Sequence, residues 1–99
     1  MKLVVSADAR RSLASTIRVL ARTHSREYLI RLKAEVDAQV KLLPARPFSG
    51  AVEPELEHLG VGHRRMIVGP FKIIYRVTAN AVYVTDIFDS RRDPKRMKG

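Results

Sequence analysis

The sequence predicts an α+β fold in which a helical hairpin packs on one face of a small antiparallel sheet. Up to residue 43 the apolar residues recur at the spacing of amphipathic helices, and from Arg64 onward they alternate with polar residues at the period of strands. Helices followed by a run of strands are typical of α+β domains. A chain of 99 residues is long enough for one core, so we expect a single domain spanning residues 1–99.

The amino-terminal part should hold one short strand and a first helix. The opening KLVV is predicted to be a strand. Ser6 then offers an N-cap, and Leu13, Ile17 and Leu20 recur at spacings of four and three. Arginines occupy the other faces of this segment, which indicates an amphipathic helix.

The second helix has the clearest apolar stripe of the sequence. Ser25 can cap it, and Glu27 in the first turn places a negative charge where the helix dipole favours one. Pro44 should end it. A few residues join the two helices, so we expect an antiparallel hairpin. The stripe consists of Leu29, Leu32, Val36, Val40 and Leu43.

The remaining chain reads as a connection followed by three strands. Residues 44–62, PARPFSGAVEPELEHLGVG, hold three Pro, three Gly and the only net acidic region, and they are predicted to be a surface connection. The segments RRMIV, FKIIYRV and VYVTDIF alternate as strands do. Gly69-Pro70 and TANA separate them, and both are short enough for hairpin turns.

The first of these hairpins should have one apolar and one charged face. If Gly69-Pro70 is a two-residue turn, Val68 faces Phe71 and Arg65 faces Ile74. One side is then nearly all apolar and packs on the helices. The other side suits a concave, anion-attracting surface, although any exposed sheet face of a basic protein would have a similar composition. That side carries His63, Arg65, Ile67, Lys72, Ile74 and Arg76.

The last strand allows two registers. A two-residue turn at Ala79-Asn80 would place Val82, Val84, Asp86 and Phe88 toward the core, and a longer loop would select Tyr83, Thr85 and Ile87 instead. Each register would bury a polar or charged side chain, so the sequence does not decide between the two registers.

A basic run, DSRRDPKRMKG, follows this strand. Runs of this kind are most often solvated tails. Here Arg91 or Arg92 could fold back over the sheet edge, beside the charged face, and grip a phosphate bidentately.

The composition and charge of the chain limit the kinds of partner that we expect. The formal net charge is +9, and such an excess causes self-repulsion unless an anionic partner is present, such as nucleic acid, an acidic protein or an anionic membrane. No apolar run approaches the roughly 20 residues of a membrane span, and the amino terminus lacks a signal peptide's apolar segment. We therefore expect a cytoplasmic protein without a membrane partner.

Metal and cofactor sites are not expected either. The chain has no cysteine, which excludes disulfides and zinc–thiolate sites. Its three histidines, His24, His58 and His63, do not follow a common metal-ligand spacing. We expect no metal and no cofactor.

Several segments in this order resemble the RelE/ParE superfamily, the toxins of bacterial type II toxin–antitoxin modules. They are a strand and helical hairpin, then LLPARPFSGAVEPEL, HRRMIVGPFKIIYRV and VYVTDIFDSRRDP. The resemblance covers essentially the whole chain. It implies the sheet-and-hairpin fold and a cognate antitoxin that wraps the toxin. Given the charge of this chain, we expect an acidic antitoxin encoded by the adjacent gene.

The resemblance implies two alternative targets. RelE-like members cut mRNA in the ribosomal A site without a metal, whereas ParE-like members poison DNA gyrase by binding it. For RelE-type chemistry, Arg65 and Lys72 match the family's strand cations, Arg92 matches the arginine after the last strand, and His63 falls where another basic residue would be. In a ParE-like toxin the residues that bind the target would be Arg65, Lys72, Arg76, Arg91 and Arg92.

One departure from the RelE pattern favours the ParE-like reading. RelE-like chains usually carry a Tyr or His a few residues beyond the last arginine, and here that stretch reads DPKRMKG. His63 could substitute as a base, since neighbouring cations bias an imidazole toward its neutral form. A lone histidine is nevertheless more often structural. The remaining alternatives are a degenerate toxin and a non-toxic basic module that binds nucleic acid through phosphate contacts.

Overall fold

A five-stranded sheet forms the centre of the computed structural model, which describes residues 1–99. The strand order is β1-β5-β4-β3-β2. Neighbouring strands are antiparallel except at one edge, where β1 runs parallel to β5. The predicted α+β fold is therefore confirmed, with a parallel edge strand that the sequence pattern did not indicate. The strands are β1 (Lys2–Val5), β2 (Ala51–Val52), β3 (Arg64–Val68), β4 (Phe71–Val77) and β5 (Ala81–Asp89).

Two α-helices follow β1, and both begin at the predicted caps. They are α1 (Ala7–Leu20) and α2 (Arg26–Leu42). The Ser6 hydroxyl accepts a hydrogen bond from the backbone N–H of Ala9, and the Ser25 hydroxyl accepts one from Tyr28. These bonds satisfy N–H groups that a helix start leaves unpaired. Short 3₁₀ helices follow at Leu43–Ala45, Pro54–Leu59 and Pro94–Arg96.

The main core lies between the helices and one face of the sheet. The apolar stripes predicted for both helices face it, with Leu20, Leu32 and Val36 buried and Leu13 partly buried. The sheet contributes the apolar side of the predicted hairpin. Its buried members are Val68, Phe71, Ile73 and Tyr75, which join Val82, Val84 and Ile87 of β5.

A β-bulge resolves the open register of β5. Thr78 donates its backbone N–H to the carbonyl of Ala81, so the turn at Ala79-Asn80 has two residues, and Val82 pairs with Val77. Tyr75 then pairs with Val84 and Ile74 with Asp86, which leaves Thr85 as the extra residue. An extra residue reverses the alternation. Val82 and Val84 therefore face the core before the bulge and Ile87 faces it afterwards, so each predicted register holds for part of the strand.

The segment predicted to be a surface connection is more ordered than expected. It contains β2 and the 3₁₀ helix Pro54–Leu59, and it buries Glu53 and Leu56. Gly50 fixes its path, because the Gly50 backbone N–H donates to the Tyr75 hydroxyl at 2.8 Å. A Cβ on Gly50 would lie 2.5 Å from the Arg65 carbonyl oxygen, so only glycine allows this approach.

Neither helix combines the length and the apolar character that a membrane crossing requires.

Candidate functional site

The charged face of the sheet has the predicted register. Val68 pairs with Phe71, Ile67 with Lys72 and Arg65 with Ile74. Directly paired residues in an antiparallel sheet project to the same side, and so do residues two apart along a strand. Arg65 and Lys72 therefore lie on one face, opposite the main core.

This face is not the open, concave surface that the sequence suggested. A second apolar cluster covers its centre, where Ile74 is fully buried beneath Leu56 and Met97 and beside Phe88. Leu56 comes from the supposed surface connection and Met97 from the supposed solvated tail. Both segments fold over the sheet, so the expectation of an exposed anion-binding face is wrong at its centre.

Lys72 already has an anionic partner within the protein. Its Nζ lies 3.5 Å from Oε1 of Glu53, a carboxylate that is only 1% exposed. Glu53 also caps the 3₁₀ helix that follows, by accepting a hydrogen bond from the backbone N–H of Glu55. A buried carboxylate needs compensation, so the positive charge of Lys72 stabilises Glu53 rather than standing free for a ligand.

His63 is enclosed. It is 2% exposed, and neither ring nitrogen has a hydrogen-bond partner. Gly99 lies against the ring, because a Cβ there would be 3.2 Å from both Nε2 and Cε1. Burial lowers the pKa of His63, and the nearby charges of Arg76 and His58 lower it further. The lowered pKa favours the neutral imidazole, but a substrate cannot reach the ring in this conformation.

Two arginines of the charged face are held by local contacts. Arg65 donates from Nη1 to the carbonyl oxygen of Val52 at 2.7 Å. Arg76 places its guanidinium 4.6 Å from the ring centroid of Tyr83, a cation–π contact on the same face. Each guanidinium keeps further N–H donors for a partner.

The two arginines of the tail differ sharply. Arg91 is bound to Asp89 by two parallel hydrogen bonds, Nε to Oδ1 at 2.9 Å and Nη2 to Oδ2 at 2.7 Å. These hydrogen bonds, more than the opposing burial of the carboxyl, hold the pKa of Asp89 below its usual value. Arg92 takes part in none of the ion pairs of the molecule.

Arg92 lines a cavity at the end of β5, between α1 and the tail. The cavity has a volume of about 310 Å³ and a lining with one hydrophobic residue. Ser12 and Thr16 contribute from α1, and Arg96 and Lys98 from the tail. None of the cavities is lined by His63, Arg65, Lys72 or Arg76. The predicted site residues thus divide between the sheet face and this cavity, instead of sharing one pocket.

Asp86 lines the same cavity and was not among the predicted site residues. It is 1% exposed, its Oδ2 accepts the backbone N–H of Lys98 at 2.9 Å, and its Oδ1 has no partner. Burial raises the pKa of Asp86; the hydrogen bond from Lys98 and the nearby Ser12 hydroxyl oppose the rise without cancelling it. An acidic residue within an otherwise apolar strand was the feature of the sequence that could have identified Asp86.

A groove between the two helices is a different kind of surface. Its volume is about 520 Å³, and Leu13 and Ile17 of α1 form part of its floor. Arg10, Arg18 and Lys33 stand around them. The groove is therefore apolar inside and mainly basic at its rim.

Comparisons with known proteins give one family match and one similar fold. A family model described as the ParE toxin of type II toxin-antitoxin system, parDE, matches residues 3–94. A solved structure, "Chromosomal ParDE TA system from P. aeruginosa", is similar in fold, with a TM-score of 0.70, 19% sequence identity, and coverage of 90% of this chain and 95% of that chain. The comparison with curated proteins gave no match.

Proposed function

This chain belongs to the ParE toxin family of type II toxin–antitoxin systems, and from this premise we propose that it arrests growth by binding DNA gyrase and is neutralised by a cognate antitoxin. In this proposal residues 1–99 act as one domain, and inhibition requires no chemistry by the toxin itself. Binding, rather than RNA cleavage, is supported by the state of the groups that cleavage would need.

The enclosure of His63 is the observation that carries the proposal. General acid–base catalysis requires a side chain within about 3 Å of the proton that it moves. His63 is the one candidate base, and the tail covers it. Lys72 is paired with Glu53, and Arg92 faces a separate cavity. With His63 covered, the candidate base could not reach a scissile phosphate without rearrangement of the tail.

The cations that remain free support binding to an acidic target. Arg92 has no ion-pair partner, and Arg65 and Arg76 keep unused guanidinium donors. Arginines with free N–H groups bind carboxylates and phosphates bidentately. A complex of gyrase with DNA presents both kinds of anion.

The groove between α1 and α2 supports an acidic antitoxin. Leu13 and Ile17 could receive the apolar side of an amphipathic helix, and the rim of Arg10, Arg18 and Lys33 could pair with its carboxylates. Charge complementarity of this kind contributes to specificity and to the rate of association. The partner expected from the adjacent gene would therefore be acidic and helical where it contacts this groove.

A supercoiling assay with purified gyrase tests the target. We expect the toxin to inhibit supercoiling, the antitoxin to restore it, and Arg92→Gln to raise the half-inhibitory concentration about tenfold, which corresponds to roughly 1.4 kcal/mol of binding free energy. Lys41→Gln is the matched control, because it removes one exposed positive charge at the far end of α2. Gyrase that stays fully active at saturating toxin would contradict the proposal.

The runner-up function is a RelE-like ribosome-dependent endoribonuclease. One observation favours it, the common face of Arg65 and Lys72. Purified ribosomes carrying mRNA would then show codon-phased cuts, and Arg65→Ala or Arg92→Ala would abolish them. Cuts that survive both changes would show that these residues are not the active site. A non-toxic nucleic-acid-binding module would instead bind in a steeply salt-dependent way and leave growth unaffected.

A further inference from the structure

The cavity beside α1 gathers three cations that form no ion pair. Arg92, Arg96 and Lys98 line it, and all three are exposed residues of the short segment after β5. The ion pairs of the molecule involve Arg11, Lys72 and Arg91, so none of the three cations that line the cavity is paired. Two carboxylates line the cavity as well: Asp89 is already bound by Arg91, and Asp86 accepts the backbone N–H of Lys98.

The opposite wall of the cavity offers hydroxyl groups and a buried acid. Ser12 and Thr16, four residues apart, lie on one side of α1 and line the cavity. Asp86 lines it from β5, with an Oδ1 that is buried and lacks a partner. An unpartnered buried oxygen is costly, and a ligand that shares a hydrogen bond with it would remove that cost.

We propose that this cavity is a binding site for a phosphoryl group, held between the cations of the tail and the hydroxyl groups of α1. The cations and hydroxyls approach from different elements, so the site suits a tetrahedral ligand with several oxygens more than a planar carboxylate. A phosphoryl group carries about one negative charge and two free oxygens in a diester, and a charge of about −1.5 to −2 with three strong acceptor oxygens in a monoester. Three cations and two hydroxyl donors can bind either form. The volume of about 310 Å³ also accommodates a small group attached to the phosphate.

Asp86 takes part as a donor. Because burial raises its pKa, Asp86 binds a proton at higher pH than an ordinary aspartate, and the protonated carboxyl can donate a hydrogen bond from Oδ1 to a phosphoryl oxygen. Burial and the charge of Asp8 on α1 favour the proton on Asp86, and Asp89 lines the same cavity from β5. The Ser12 hydroxyl and the Lys98 backbone N–H favour the ionised form, as do the cations that line the cavity from the tail, Arg92, Arg96 and Lys98. An ionised Asp86 would instead repel the ligand, so binding should weaken as the pH rises.

The phosphoryl group could belong to a free nucleotide or to a nucleic-acid backbone, and two probes separate these sources. One probe is ATP, and the other is a single-stranded DNA of about ten nucleotides without terminal phosphates, close to the length that small single-strand-binding modules cover. Both are titrated into the full chain by calorimetry. Saturable binding of one probe supports the site and names its source, whereas no saturable binding of either overturns it. The site would exist whether or not gyrase is the target.

Arg96→Gln and Lys95→Gln form a matched pair of variants. Each removes one positive charge from the same 3₁₀ helix, but only Arg96 lines the cavity. Loss of a charge-assisted hydrogen bond should weaken binding about tenfold or more in Arg96→Gln. Lys95→Gln should change it by less than about threefold, as expected for a screened charge outside the site. Equal losses would show a diffuse electrostatic attraction and overturn the proposal.

Sulfate tests the role of Asp86, because sulfate does not titrate in the range of interest. As the pH rises through the raised pKa of Asp86, we expect sulfate affinity for the wild-type chain to fall severalfold. In Asp86→Asn the amide keeps a donor and cannot ionise, so this fall should disappear. An Asp86→Asn chain that follows the wild-type pH dependence, or fails to bind sulfate while folded by circular dichroism, would contradict the proposed donor.

Discussion

At the scale of single residues, burial decides what each charged group can do. His63 and Lys72 lie on the predicted face, yet one is enclosed by the tail and the other is paired with a buried carboxylate. Arg91 and Arg92 are neighbours in the chain, yet one is held by Asp89 and the other is free of ion pairs. Strand alternation predicts the direction of a side chain, and the segments that fold over it determine its availability.

Replacing His63 by leucine should remove part of the acid sensitivity of the fold. In the unfolded chain this histidine binds a proton near its ordinary pKa of about 6.5, whereas in the folded chain it binds one only at lower pH. Wild-type stability therefore falls as the pH drops below about 6.5, until the folded-state pKa is passed. His63→Leu should lack this contribution. It should also be neutral or more stable at neutral pH, by up to about 1 kcal/mol, because two unpartnered nitrogens are removed.

Urea denaturation at pH 7.5 and 5.5, two conditions about one pH unit above and below the ordinary histidine pKa, measures both effects. Other titrating groups, such as Asp86 and Asp89, are common to both proteins and cancel in the comparison. A variant that loses as much stability in acid as the wild type does would contradict this account of His63.

Arg91→Gln should raise the pKa of Asp89. The side-chain hydrogen bonds from Arg91 are the largest cause of its lowered pKa, and the charge of Arg92 is the smallest. Carbon-detected NMR titration of the Asp89 carboxyl should therefore show a clear upward move in Arg91→Gln and a much smaller one in Arg92→Gln. Ionised Asp89 stabilises the fold above its unfolded-state pKa, and this stabilisation is lost as the pH falls through its folded-state pKa. The stabilisation should shrink only in Arg91→Gln. Similar pKa changes in both variants would contradict the assignment.

At the scale of elements, the bulge in β5 connects the two sides of the sheet. By reversing the alternation at Thr85, it points Val84 and Ile87 toward the main core, and Asp86 and Phe88 toward the opposite side. Without the bulge the same nine residues of β5 would alternate strictly, so Asp86 would enter the main core and Ile87 would leave it. The second apolar cluster and the cavity beside α1 therefore both depend on the bulge.

Deletion of Thr85 should therefore remove the bulge without moving a side chain to the other side of the sheet. In the shortened strand Asp86 follows Val84 directly, and strict alternation keeps Asp86 opposite the core and Ile87 within it. The deletion loses two hydrogen bonds, from the Thr85 hydroxyl to the Lys98 carbonyl and from the Ser6 hydroxyl to the Thr85 carbonyl, whereas Thr85→Val loses only the first. We expect a cost of about 1 kcal/mol for Thr85→Val and about 2 kcal/mol for the deletion, measured by thermal melts. A deletion variant that fails to fold would show that the bulge itself is required.

At the scale of the whole molecule, the parts fixed by local chemistry were predictable and those fixed by distant segments were not. The serine caps, both apolar stripes and the β3–β4 register follow from spacing and one two-residue turn, and the structure has all of them. The pairing of β1 with β5 and the cover over Ile74 join residues far apart in sequence. Periodicity carries no information about such contacts, so the candidate site was predicted as a set of cations but not as an arrangement.

The net charge of the whole molecule affects the rate at which an antitoxin would associate with this protein. Only three of its nineteen Lys and Arg side chains are in ion pairs, so a field of one sign surrounds the molecule at a net charge of +9. Such fields raise association rates with acidic partners well above the unsteered rate of about 10⁵–10⁶ M⁻¹s⁻¹. Salt screens this steering and acts less on contacts that are already formed.

Association with the acidic protein expected from the adjacent gene should therefore slow strongly with salt, while dissociation changes little. Between about 50 mM and about 500 mM NaCl we expect the association rate, measured by stopped flow, to fall about tenfold or more. Arg18→Gln, at the rim of the groove between α1 and α2, should also speed dissociation, whereas Arg22→Gln, just beyond α1, should affect association alone. If both variants dissociate at the wild-type rate, the antitoxin contacts another surface, and if salt leaves the association rate unchanged, the net charge plays no part in the encounter.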